Sequence, residues 1–187
     1  MNWRFAFVIL SCLMLAPVSP AEESSAAKAF DRLKSLTGTW EGTYEWTGAR
    51  TASGAMNATY HLTGNGSALV EELIMEGVPV MTSVYHLDGA TLRMTHFCAA
   101  QNQPRLKNER IDVAHGIIDF GFVDITNLPS ADAAHVHGLE IRLIDSNRIT
   151  VTFLFQSAGK ESRERIALKR IEKKSSEKAN AGREPSA

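Results

Sequence analysis

From residue 39 to residue 171 the chain alternates apolar and polar side chains one by one, in short runs that each end on a turn signal. A period of two belongs to a strand with one covered face, and it excludes a helical bundle over this stretch. Residues 39–46 set Trp40, Gly42, Tyr44 and Trp46 against Thr39, Glu41, Thr43 and Glu45. Met56, Ala58, Tyr60 and Leu62 repeat the pattern before the turn sequence at 64–67. Residues 68–75 and 80–87 follow, and Asp88-Gly89 is a hairpin signal leading into 91–98. Residues 106–113 and 117–123 flank His115-Gly116, and 138–144 and 148–155 flank a three-residue turn; 161–171 closes the series.

About ten strands joined mostly by tight turns predict an all-β, antiparallel up-and-down meander. Such a sheet must hide its two edges, and closing into a barrel does so without a partner sheet. Two packed sheets are the alternative. Before the strands, residues 24–36 carry Ala26, Ala29, Phe30 and Leu33 at helical spacing behind a serine cap, which predicts one short N-terminal helix ending near Gly38. The longest break, 124–136, is expected to be a short helix or a lid over one barrel mouth.

The ends of the chain read differently. Residues 1–21 have the layout of a secretory signal peptide: Arg4 near the start, an apolar run over 5–15 and small residues Ser19 and Ala21 before a cut. A largely apolar run of about eleven residues is too short to span a bilayer, so no transmembrane span is expected in the mature protein. A lipoprotein signal ending at Cys12 is the rival reading. Export implies a periplasmic or extracellular barrel domain over 22–171, followed by a polar, disordered tail over 172–187. Nine basic and five acidic residues lie from Lys160 onward, against ten and sixteen over 22–159. An acidic body with a basic tail argues against a nucleic-acid partner. Removing the signal leaves Cys98 as a lone cysteine, which excludes an intramolecular disulfide.

The segment LKSLTGTWEGTY, residues 33–44, resembles the opening of lipocalin-like and nitrobindin-like barrels (calycins), in which a short helix precedes a strand carrying Gly-x-Trp. The resemblance places Gly38 and Trp40 at those positions and implies that Trp40 plugs the closed end. More widely, and most clearly over VYHLDGATLRMTHFCAAQNQPRLK (84–107), the chain is similar to an uncharacterised family of secreted bacterial proteins. That likeness implies fold and export rather than an activity. Nitrobindin-like barrels hold heme through a histidine near the carboxy-terminal strands, and residues 148–171 contain none, so no cofactor is expected.

Within the meander, parity nominates the interior. Leu92, Met94, His96 and Cys98 form the more apolar set of their strand, which places His96 and Cys98 on one inward face about 7 Å apart. Leu139, Ile141 and Leu143 extend back to His137, and to His135 if the strand begins early. His96, Cys98, His135 and His137 are therefore the candidate ligands for a transition metal such as zinc or copper. Asn102 and Arg105, in the loop after Cys98, offer donors for an acidic ligand group. Glu71 and Glu72 point to opposite faces and cannot act as a carboxylate pair.

Three functions remain open. The first is a barrel binding a small apolar or amphipathic molecule through interior Trp40, Tyr44, Met56, Met94, Ile141 and Phe153, with His96, Cys98, Asn102, Arg105 and His137 as polar contacts. The second is a metal- or thiol-dependent enzyme or metal protein centred on His96, Cys98 and His137. The third is a structural envelope module with a packed core. No P-loop, dinucleotide fingerprint, His-Glu-x-x-His or Gly-x-Ser-x-Gly occurs. Ligand identity and oligomeric state stay open at this level.

Overall fold

A computed structural model describes residues 23–172. The signal-peptide reading over 1–21 and nearly all of the predicted tail lie outside the described residues. The expected helix is α1 (Ser25–Lys34), where Ser24 Oγ accepts from the Ala27 N–H as its cap. Ten strands follow: β1 (Gly38–Gly48), β2 (Ala52–Thr63), β3 (Ala68–Met75), β4 (Val78–Asp88), β5 (Thr91–Phe97), β6 (Gln103–Asp112), β7 (Ile117–Thr126), β8 (His135–Asp145), β9 (Arg148–Ser157) and β10 (Lys160–Arg170). Each pairs antiparallel with its neighbour in sequence, and β1 also pairs with β10, so the meander closes into a barrel and leaves no edge. Two separate sheets are excluded. Among the described residues no helix is long and apolar enough to cross a membrane.

One end of the barrel is shut. Ala26, Ala29, Phe30 and Leu33 of α1 are buried and pack beneath β4, β5 and β6. Burying Phe30 and Leu33 contributes roughly 1.5–3 kcal/mol each. Trp40 is fully buried at the start of β1, and its indole N–H donates to the Leu36 carbonyl at 2.8 Å. From β10, the Arg170 guanidinium stacks over the Trp40 ring at 4.3 Å and donates to the carbonyls of Ser35 and Thr37. Helix, tryptophan and arginine thus latch the first and last strands together at this end, where the resemblance led one to expect the tryptophan.

The interior next to this plug is packed solid. Met56, Leu73, Met94, Ile141, Val151, Phe153 and Ile166 are all buried in one core. At the opposite end the β3–β4 and β9–β10 hairpins are tight. Glu76 and Gly77 both have positive φ (52° and 80°), as a two-residue turn matching the strand twist requires, so the β3–β4 hairpin turns where glycine is available. The 124–136 break is not helical; β7 runs to Thr126 and β8 begins at His135, earlier than expected, and 127–134 remains the longest connection between the described strands. The residues between form a loop beside the open mouth, held by bonds from the Asn102 side chain to Ala134 O and from Ala158 N to Asp132 O.

Candidate functional site: a half-open barrel with a buried acid

The mouth opposite α1 opens into a cavity of about 680 Å³. Its walls are Tyr44 and Trp46 from β1, Met75 from β3, Val80 and Met81 from β4, and Phe155 from β9. Trp46 and Phe155 lie 4.6 Å apart between ring centroids and form one aromatic wall. Tyr44 lies across Gly54 of β2, where an added Cβ would come within 2.8 Å of the tyrosine ring. At this end the lining includes small residues, Ala49, Ala99, Ala100 and Ala134 from the connections and Ser162 from β10, and these leave space.

Into this apolar space the sequence places a carboxyl group. On β10, Ser162, Glu164, Ile166 and Leu168 share the inward face, and Glu164 is paired with Trp46 on one side and Phe153 on the other. Glu164 is 2% exposed, and its Oε2 has no hydrogen-bond partner. Burial pushes its pKa up to about 7, against the pull of the Arg50 cation and the Trp46 indole N–H. Arg50 stacks on the outer side of Trp46, 4.1 Å from the ring centroid, and Lys160 stands at the rim. The site therefore has aromatic and thioether walls, one deep acid and two cations at its entrance.

A second polar group lies below, in the packed core. Glu71 accepts from Tyr60 at 2.5 Å and from Tyr85 at 2.8 Å. Burial raises its pKa, and these bonds oppose the shift; Ser83 also bonds the same carboxylate. Ser83 Oγ is in turn 3.0 Å from His96 Nδ1. The Ser83 hydroxyl thus stands between the buried carboxyl and the imidazole. The other ring nitrogen of His96, Nε2, has no hydrogen-bond partner. Its ring is fully buried against Phe153, 4.8 Å between centroids, and burial lowers its pKa to about 3.

The structure sorts the residues expected from sequence. Tyr44 and Cys98 line the cavity. Cys98 is half-buried, and burial raises its thiol pKa, so it is protonated rather than an activated nucleophile. His96 shares the inward face of β5 as expected, but it sits in the packed core and not on the cavity wall. Trp40 and Met94 are also core residues. Asn102 is buried as a loop pin. Arg105 is not a cavity anchor: Pro104 and Leu106 take the inward positions, and Arg105 pairs outside with Asp124 at 2.5 and 2.8 Å. His135 and His137 do not join His96 and Cys98. The pairing of β8 with β9 shifts register between Val136 and Gly138, which puts the buried Val136 inward and breaks the parity that pointed His137 the same way as Leu139. His137 instead stacks on Phe122, 4.8 Å away, in a separate cleft that includes Glu140, Thr152 and Arg163 on the outer wall. Among the described residues no three His, Cys, Asp or Glu side chains come together as a metal site.

Sequence reasoning missed Glu164, Phe155 and Arg50. For Glu164 the signal was present: extending the Ile166–Leu168 parity back two residues puts a carboxylate inside.

No protein-family model matches the sequence, and comparison with curated proteins finds no match. Among solved structures the chain is similar to Rv2717c from M. tuberculosis, with 14% identity, a TM-score of 0.53, and coverage of 77% of this chain and 98% of that one. It is also similar to a protein of unknown function from the DUF3598 family of Nostoc punctiforme, with 13% identity and a TM-score of 0.52. That match covers 74% of this chain and 48% of the Nostoc protein, so this chain spans about half of it. At these identities the likeness shows the fold alone: a closed ten-stranded antiparallel barrel with a single short helix.

Proposed function

We propose that this barrel binds a small apolar or amphipathic molecule in its mouth cavity, and that it does so outside the cytoplasm, in the manner of a lipocalin. The observation that carries the reading is the division of the interior. One half is packed like any core, while the other holds about 680 Å³ walled by Tyr44, Trp46, Met75, Met81 and Phe155. Ligand sites are concave, mostly apolar and furnished with a few polar groups, and this volume is within their usual range. The signal-like residues 1–21 support the export part of the proposal.

The test uses N-phenyl-1-naphthylamine, a neutral apolar dye that fluoresces when taken out of water. Titration should give saturable binding at one site per chain. Ser162→Phe and Cys98→Phe, which each add bulk to the cavity, should abolish it. His115→Ala, in the exposed β6–β7 turn at the closed end, should leave it unchanged. Absence of saturable binding, or binding that both filled variants retain, refutes the reading.

A further inference from the structure

Resting on the cavity reading above, we infer that the deep end of the site selects an amine: the ligand is an apolar or aromatic molecule whose primary or secondary ammonium head donates to Glu164 Oε2. Buried polar atoms in folded proteins are nearly always partnered, and an unpartnered one requires an explanation. Glu164 is 2% exposed and its Oε2 is bare; the Arg50 cation and the Trp46 indole favour its ionised form without partnering that oxygen. It sits at the inner end of the cavity, one pleat deeper than Ser162 and two deeper than Lys160, so a ligand entering from the mouth meets it last.

The walls agree with a cation. Aromatic faces attract positive charge, and Trp46 already carries the Arg50 guanidinium at 4.1 Å on one side. The methionine sulfurs of Met75 and Met81 are weak acceptors and polarizable neighbours for a head group. Neither wall group supplies the missing donor.

The rim argues for the opposite polarity, because Arg50 and Lys160 would attract an anionic head. The two effects differ in weight. Both rim cations are exposed, and their pull on a ligand is screened by water and salt. The carboxyl oxygen is out of solvent contact, where an unmet hydrogen bond is felt in full. The deep group therefore chooses the head, and the rim cations are left to meet solvent or a distal polar end.

The experiment displaces N-phenyl-1-naphthylamine from the purified protein at pH 8 with octylamine, octanol and octanoate, which share one chain and differ in the head. Octylamine should displace the dye at a concentration at least tenfold lower than octanol, and octanoate should be the weakest. In Glu164→Gln the dye should still bind, while the gap between octylamine and octanol closes to within about twofold. Equal displacement by all three, or a preference for octanoate, overturns the amine assignment and leaves the cavity reading standing. A dye that never binds takes down both. Should Glu164→Gln fail to fold, as a thermal melt would reveal, the ranking of the three heads on the unmodified protein decides alone.

Discussion

Glu164 makes a quantitative demand on stability that does not depend on any ligand. Its carboxyl is pushed from an ordinary value of 4.5 to about 7 by burial. For an acid whose folded pKa lies above its unfolded one, the folded state binds more protons between the two values, so stability falls as pH rises through that window. Below pH 4.5 both states are protonated and the group costs nothing by this route. Above pH 7 both are ionised, and the buried charge costs its full amount. One pKa unit corresponds to about 1.4 kcal/mol, which sets a ceiling of about 3 kcal/mol. Relaxation of the folded chain around the ion reduces the penalty, so about 1–3 kcal/mol is expected. Glu164→Gln keeps the shape and removes the titration. Urea denaturation of both proteins at pH 4.5, 6, 7 and 8.5 should therefore show a difference that grows in favour of the glutamine variant and levels off above pH 7.5. Every other titrating group is common to the two proteins and cancels. A difference that stays constant with pH, or one that favours the glutamate at pH 8.5, would refute the claim that this carboxyl is buried without adequate partners.

Four further outcomes test the rest of the architecture. Arg170→Met should cost about 1–3 kcal/mol in denaturant melts, because it removes the cation over Trp40 and the donors to Ser35 and Thr37 that join the last strand to the plug. Tyr85→Phe should cost a similar 1–3 kcal/mol by stripping one of the two tyrosine donors from buried Glu71, and a cost below 0.5 kcal/mol would show that the carboxyl finds another partner. The imidazole of His96 should remain neutral at pH 5 in nitrogen-correlated NMR. Because its pKa is lowered to about 3, it contributes stability above pH 6.5 that is lost on acidification, and a titration midpoint near 6.5 would contradict its burial. Cys98 should react with Ellman's reagent at pH 8 more slowly than a free thiol, and more slowly still once the dye occupies the cavity; a rate indifferent to the dye would place the thiol outside the binding volume.

The fold was legible because a meander writes its architecture locally. Each strand's parity lies within about eight residues, each hairpin turn carries its own glycine, aspartate or asparagine, and closure follows from the need to hide two edges. Parity also carried His96 to the correct face of β5, and Cys98, one residue past the strand's end, to the cavity wall. It failed where the strand is irregular. Nothing in HVHGLE announces that the pairing of β8 slips between Val136 and Gly138, because a register shift depends on the neighbouring strand and leaves no mark of its own in composition. One slip was enough to move His137, with His135 beside it, away from the other candidate ligands. Glu164 was overlooked for the opposite reason. In ESRERIALK the parity is intact, and it points a glutamate inward beside Ile166 and Leu168. The ordinary presumption that a charged residue in a strand faces water overrode it. Parity is a geometric constraint, whereas the presumption is a statement about average cost. When the two conflict on a regular strand, geometry decides where the side chain goes. The conflict itself then marks a position where stability has been given up. In this barrel that position lies at the floor of the open half, next to Trp46 and Phe155, where a buried acid can be satisfied from outside the chain.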